Sequence, residues 1–352
     1  MARIVYSITG EGMGHVVRSS VIIRELQKKH KVKIVVSSRR GYEVLKREFK
    51  DVTAIIGPPI QYRDNTVDDI DTARKFLNIV FRHSKDNFTT LYTLVKRFKP
   101  VIIITDFENA ITVVSTLLRI PSICLCNVHA VTHLKYRVPA KYARDYHKAR
   151  IIVGLWCTNI DYHLITTFFY EPVRFQNTFL YPPVLRKEII VAKTATKEYI
   201  LVYQTSSTNT KLIRALQKID EKFIVYGFNK EAVEDHITYR KFNQDRFFKE
   251  FRECKACIAN GGFTFVSEAI SLHKPILCIP IKGQFEQILN ALEIKRLGYG
   301  DIQDSATHAG ITRFIARIEQ YAARLATYNP EGNARIIEKI EEIISSETHK
   351  NK

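Results

Sequence analysis

Short apolar runs and longer amphipathic stretches alternate along most of this chain. The runs Arg3–Ile8, Lys33–Val36, Val52–Ile56, Val101–Thr105 and Ser122–Cys126 have the length of strands. Between them, stretches such as His15–His30 and Thr72–Phe98 carry apolar residues at helical spacing. This alternation predicts parallel strands with helices on both faces. The strands are continuously apolar, as burial on both faces requires.

The rhythm breaks between about 130 and 180, where Tyr, Phe, His and basic residues crowd together, and it stops at Tyr181-Pro182-Pro183. A Pro-Pro pair suits neither a helix interior nor a central strand, so a linker starts there. Beyond it the alternation resumes, with strands Tyr199–Tyr203, Lys222–Tyr226, Ile237–Phe242, Cys257–Ala259 and Pro275–Ile279. Helices Thr210–Ile219, Gln244–Glu253, Phe263–Leu272 and Phe285–Arg296 fall between these strands. The expected architecture is α/β: two Rossmann-like domains, 1–183 and 195–328, facing a cleft. A C-terminal helix within 329–352 is expected to pack back across the junction. Ligands of such sheets bind beyond the carboxyl ends of the strands.

The chain has 352 residues, with 54 Lys and Arg against 36 Asp and Glu, a net charge of +18. That excess favours anionic partners. Nucleic acid is not expected, since no helix-turn-helix, zinc-finger or RNP signature occurs. Six cysteines in a chain this long make no disulfide framework. Cys254-Lys-Ala-Cys257 stands alone, and Cys124 and Cys126 lie in an apolar run, so all four read as buried structural thiols. The run Ile4–Ile8 is too short for a secretory signal, and no apolar run can span a bilayer. The default location is the cytoplasm.

Candidate chemistry sits at strand ends. Ser7-Ile-Thr-Gly10-Glu11-Gly12-Met-Gly14-His15 joins the first strand to the first helix. Its glycines allow a tight turn and close approach of a ligand to the backbone. His15, in the first helical turn, is a candidate base. Asp106-Phe107-Glu108 and Asn127-Val128-His129 end two further strands on the same side. Asp106 would orient His15 or act as a base itself; capping the helix from Asn109 is the structural alternative.

The richest segment is Asn260-Gly261-Gly262-Phe263-Thr264-Phe-Val-Ser-Glu268, followed by Lys274-Pro275 and Gly283-Gln284-Phe-Glu286-Gln287-Ile-Leu-Asn290. A Gly pair at a helix N-terminus suits a diphosphate. Glu268, one turn on, can accept from a ribose diol. Glu286, Gln287 and Asn290 offer the carboxylate and amides that sugar hydroxyls need.

Segment 256–300 resembles the donor-binding half of GT-B glycosyltransferases of families 28 and 1. It resembles in particular the enzyme type that adds N-acetylglucosamine to the lipid-linked peptidoglycan precursor. The loop Gly10–His15 and the triplet Asp106–Glu108 resemble the branch with G-E-G-x-G-H and D-F-E elements. The resemblance implies an inverting transfer of a hexose from a UDP-sugar to a hydroxyl acceptor, with the UDP-sugar as substrate and no cofactor or metal. It implies that Gly12 and Gly14 lie on the donor side. Gly261, Gly262, Phe263 and Thr264 would meet the diphosphate, Glu268 the ribose, and Glu286 and Gln287 the sugar. The backbone at Phe242 or Asn243 would read the uracil. His15, helped by Asp106 or Glu11, would be the base, with Glu108 and His129 on the acceptor side. A sugar-nucleotide 2-epimerase on the same fold is the main alternative, and a nucleic-acid-binding module, motivated by the net charge, is the third reading.

Asp69-Ile70-Asp71 has the D-x-D form but precedes a helical pattern, so it reads as helix N-terminal charge rather than a metal site. Arg137, Lys141, Arg144 and Lys148 form a basic stripe on one face of a helix started by Pro139. A solvated face is its simplest reading. The alternative is docking at an anionic membrane surface, with a lipid-linked acceptor and a peripheral location on the inner face of the membrane.

Overall fold

The computed structural model describes residues 1–10, 12–57, 62–63, 66–67, 69–205 and 209–350. Contacts divide the chain into two units, residues 1–61, 69–186 and 331–352, and residues 62–68 and 187–330.

The first unit begins β1 (Arg3–Ile8), α1 (Met13–Gln27), β2 (Lys31–Val36), α2 (Arg39–Lys46) and β3 (Val52–Ala54). In chain order a small antiparallel ribbon assigned to the second unit, β4 (Tyr62–Arg63) and β5 (Thr66–Val67), comes before α3 (Asp69–Phe98). Next are β6 (Ile102–Asp106), α4 (Ala110–Leu118), β7 (Ser122–Cys126), α5 (Ala130–His133) and a 3-10 turn at Ala140–Tyr142. Then come α6 (Ala143–Leu155), β8 (Tyr162–Thr166) and β9 (Thr178–Tyr181). The seven strands lie in the order β3-β2-β1-β6-β7-β8-β9, with every pairing parallel.

The irregular stretch 130–180 thus contributes two strands that apolar patterning did not mark. β8 is buried along most of its length, but Tyr162 and His163 interrupt its apolar run. β9 ends at Tyr181, directly before Pro182-Pro183, where proline can no longer donate to the ladder.

The second unit opens with the short helix α7 (Lys187–Ile190) and β10 (Ile200–Tyr203). It continues with α8 (Thr210–Leu216), β11 (Phe223–Tyr226), β12 (Ala232–Glu234), β13 (Ile237–Arg240) and α9 (Gln244–Glu253). There follow β14 (Ala256–Ala259), α10 (Phe263–Ser271), β15 (Ile276–Cys278), α11 (Phe285–Leu297), β16 (Gly300–Ile302), α12 (His308–Ile315) and α13 (Ile318–Leu325). Strand order is β12-β13-β11-β10-β14-β15-β16, parallel except for β12.

In each sheet the order reverses once, between β1 and β6 and between β10 and β14. At such a reversal the loops leave the strand ends toward opposite faces and open a crevice. The loops after β1 and β6 carry the His15 and Asp106 motifs. The residues after β14 are Asn260-Gly261-Gly262.

Both faces of the first sheet are covered. Ile4, Tyr6 and Ile8 of β1 pack toward α1, while Val5 packs toward α3 and α4. The C-terminal helix α14 (Ala334–Lys350) belongs to this unit. Its Ile336, Ile340, Ile343 and Ile344 join the core formed by β1, β2 and α1. Polar contacts pin it further: Glu341 Oε2 lies 2.9 Å from His30 Nε2, and Tyr162 donates to Glu347 at 2.9 Å. Asn333, just ahead of the helix, holds the Leu185 backbone through both its N–H and its carbonyl.

Candidate functional site

In the first unit, the turn after β1 is shaped by glycine. A Cβ on Gly10 would stand 2.3 Å from the Ser37 carbonyl oxygen, so only glycine lets this turn pass the end of β2. Gly12, with φ +83°, is the N-cap of α1 and has open space where a side chain would project. Gly14 and His15 follow in the first turn of α1. Glu11 lies outside the described residues.

His15 is the open end of a buried network. Its side chain is 15% exposed, and Nδ1 lies 2.8 Å from Asp106 Oδ1. Asp106 is fully buried at the end of β6. Arg18, one helical turn after His15, donates to both oxygens of Asp106, and through Nη1 to Asn127 Oδ1. Arg18 Nη2 also lies 2.6 Å from His15 Nδ1. Ser19 donates to Asp106 Oδ2 at 3.0 Å. Burial by itself would raise the Asp106 carboxyl, but the Arg18 charge and then His15 outweigh it, and Asp106 is held at about 2.

Capping falls to Glu108 instead of Asp106. Glu108 accepts from the backbone N–H groups of Ala110 and Ile111 at 2.9 Å each, and from Ser7 Oγ at 3.0 Å. The Glu108 carboxylate is buried and closes the N-terminus of α4. Burial pushes this carboxyl up, while the two N–H groups pull it back in part. His129 stands at the N-cap of α5. It is buried beside Cys126, with Nδ1 3.1 Å from Nδ1 of His163 and its ring against His133.

The basic stripe is only partly helical. Arg137 lies ahead of the 3-10 turn, Lys141 is within it, and Arg144 and Lys148 are on α6. Arg137 and Lys141 precede α6, so only Arg144 and Lys148 share its face. At the other end of α6, Ile151, Ile152 and Leu155 are 64%, 51% and 74% exposed. Asp69 and Asp71 open α3, and their side chains lie outside the described residues.

In the second unit, Gly261 has φ +90° and Gly262 is the N-cap of α10, with open space beside its Cα. Phe263 is buried, Thr264 half-buried and Glu268 buried. Asn290 donates to the Gly261 carbonyl at 3.0 Å and thus holds the Gly turn from α11. Gln287 does the same for the preceding loop. Its Oε1 accepts from Ile281 N–H at 2.9 Å and its amide donates to Gln284. Gln287 and Asn290 thus anchor this loop, while Glu286 beside them is half-buried. Phe242 is exposed, and Asn243 caps α9 by accepting from Arg246 N–H at 3.0 Å.

Two residues with structural weight in these sites carried little sequence signal. Arg18 follows His15 at helical i+3 spacing, which would have placed both on one face. Gln204, after β10, accepts from Asn260 and Asn209 at 3.1 Å each and ties the ends of β10 and β14 together. Nothing local marks it, because its partners are far along the chain.

Solved structures share this fold. The glycotransferase of kitacinnamycin superposes with a TM-score of 0.67 at 15% identity, covering 97% of this chain and 98% of that one. The Phytolacca americana enzyme UGT2, complexed with UDP-2fluoro-glucose and pterostilbene, gives 0.67 at 14% identity, over 98% and 99%. The calicheamicin glycosyltransferase CalG4 gives 0.64 at 14% identity, over 98% of each. At these identities the likeness is one of fold, the GT-B class. No curated protein sequence matches the chain significantly. The model of the family described as glycosyl transferase family 1 matches residues 2–319, nearly the whole chain, and the protein therefore belongs to that family of glycosyltransferases.

Proposed function

We propose that this glycosyltransferase moves a hexose from a UDP-sugar to a hydroxyl acceptor by a single inverting displacement, with His15 as general base. The observation that carries this reading is the placement of a partly exposed His15 against fully buried, ionised Asp106. In the tautomer that carries its proton on Nδ1, toward Asp106, the imidazole presents Nε2 as an acceptor. The acceptor oxygen loses its proton to Nε2 and forms the new bond to the anomeric carbon. The bond to the UDP oxygen breaks and its electrons leave with the diphosphate. The N-terminus of α10 at Gly262 supports that negative charge, and no divalent ion takes part in the step. Glu268 is assigned to the ribose and Glu286 to the sugar.

The acceptor is assigned to an anionic membrane surface. Supporting this, α6 carries Arg144 and Lys148 on its first half and exposed Ile151 and Leu155 on its last half, one stripe at i, i+4, i+7 and i+11. No helix among the described residues is long and apolar enough to cross a membrane.

The reading is tested by incubating the protein with single nucleotide sugars and following its unfolding. A UDP-hexose at ~100 times its Kd should add about 2.7 kcal/mol to stability. UDP release should then require an acceptor alcohol and give the inverted anomer. Release without acceptor, with a 2-epimerised sugar, would establish the epimerase instead.

A further inference from the structure

We propose that Cys124, Cys126, His129 and Cys157 hold one structural zinc ion in the first unit. Residues i and i+2 of a strand share a face, so Cys124 and Cys126 both turn out of β7 to the same side. Their sulfurs are 3.6 Å apart. Two sulfurs on one tetrahedral zinc, each at about 2.3 Å, stand about 3.8 Å apart. The chain then turns, and His129 brings a ring nitrogen back, so that the ligand atoms of all three residues fall within 4.8 Å of one another. All three side chains are buried.

Cys157 lies outside that group of three, and on this proposal its thiol moves onto the ion as the fourth ligand. It packs in the same cluster and lies within hydrogen-bonding reach of the Cys124 thiol. Its backbone is left-handed, φ 50°, a conformation L-residues seldom adopt, and Asn109 Oδ1 accepts from its N–H at 3.2 Å. Strain of this kind persists only where the surroundings enforce it. His129 Nδ1 stands 3.1 Å from His163 Nδ1, a contact that fixes the ring as hydrogen bonds to metal-bound imidazoles do. Phe107 and Trp156 cover the cluster, with Trp156 Nε1 donating to the Phe107 carbonyl at 3.1 Å.

Three thiolates and an imidazole suit zinc by softness and geometry, and four protein ligands leave no open position for substrate. The ion would therefore hold the backbone and take no part in the transfer. What it would hold is specific: Asn127 lies between Cys126 and His129, and Asn127 accepts from the Arg18 that clamps Asp106. The thiol pair Cys254 and Cys257 of the second unit is also 3.6 Å apart but belongs to no such group, and it provides the control.

The test reads metal rather than turnover, so it stands apart from the proposed reaction. Protein made in zinc-supplemented medium and purified without a metal resin should carry one equivalent of zinc by elemental analysis. Protein made with cobalt should show the thiolate charge-transfer and d–d absorption of a tetrahedral site. Cys124→Ser with Cys126→Ser should lose the ion, and Cys254→Ser with Cys257→Ser should keep it. Substoichiometric zinc together with a featureless cobalt spectrum in the unmodified chain would overturn the proposal, and these need no variant to fold. Retention of the full equivalent by the Cys124/Cys126 variant would overturn it as well.

Discussion

His15 Nδ1 and Asp106 Oδ1 meet at 2.8 Å across 91 residues of chain, because β1 and β6 are neighbours at the sheet's switch point. The strand register pairs Ile8 with Asp106, which puts the carboxylate beside the turn that delivers His15. The contact is set by sheet topology rather than by either local motif.

If His15 is the base, His15→Ala should lower kcat by roughly 100-fold or more while UDP affinity stays within a small factor, the mark of a lost proton acceptor. Steady-state kinetics beside UDP titration check this. An equal loss in both would move His15 to a phosphate contact.

The Arg18–Asp106 pair is buried, and removing one partner strands the other charge. Asp106→Ala should destabilise the fold by about 3–5 kcal/mol in urea unfolding, whereas replacing both residues by apolar ones of similar volume should cost much less. A double variant whose loss equals the sum of the two single losses would show that the pair is not coupled.

Asp106 also predicts a pH dependence. Its folded value, about 2, is depressed below the ordinary 3.8, so its contribution is fully present above about pH 4. That contribution, about 2 kcal/mol, is lost as pH falls through the folded value. The difference in urea midpoint between the protein and Asp106→Asn should shrink as pH falls from 5 to 2; a constant difference would contradict the assignment.

Asn290→Ala leaves the buried Gly261 carbonyl without its donor, at a cost of about 1–3 kcal/mol. Since that carbonyl belongs to the turn assigned to the diphosphate, UDP binding measured by calorimetry should weaken too. Stability loss with unchanged UDP affinity would separate the turn from the donor site.

For the surface of α6, Arg144→Glu with Lys148→Glu should abolish binding to anionic vesicles at low salt and spare UDP binding. Each basic residue near such a surface contributes about 1 kcal/mol, and salt screens it. Vesicle sedimentation of both proteins decides this, and absence of binding by the unmodified chain would favour a soluble acceptor.

Much of the fold was legible in local pattern. The apolar strand runs, the Gly-rich turn ending in His15 and the Gly261-Gly262 turn before α10 are encoded over a few residues, because burial on both faces and tight turns constrain composition locally. Strands β8 and β9 were not legible, since polar and aromatic residues stand where their neighbours supply partners. The division of labour between Asp106 and Glu108, two residues apart, could not be read either. Both are acids after one strand, and only the position of α1 gives Arg18 and His15 to the first while the start of α4 takes the second. Gln287 and His129 likewise carry the right chemistry for ligands, yet long-range packing turns them inward. Local sequence therefore determined most of the strands and helices and where the chemistry-bearing turns lie. Tertiary structure decided which polar groups each buried carboxylate, amide and imidazole would face, because those partners come from strands brought together only by the sheet.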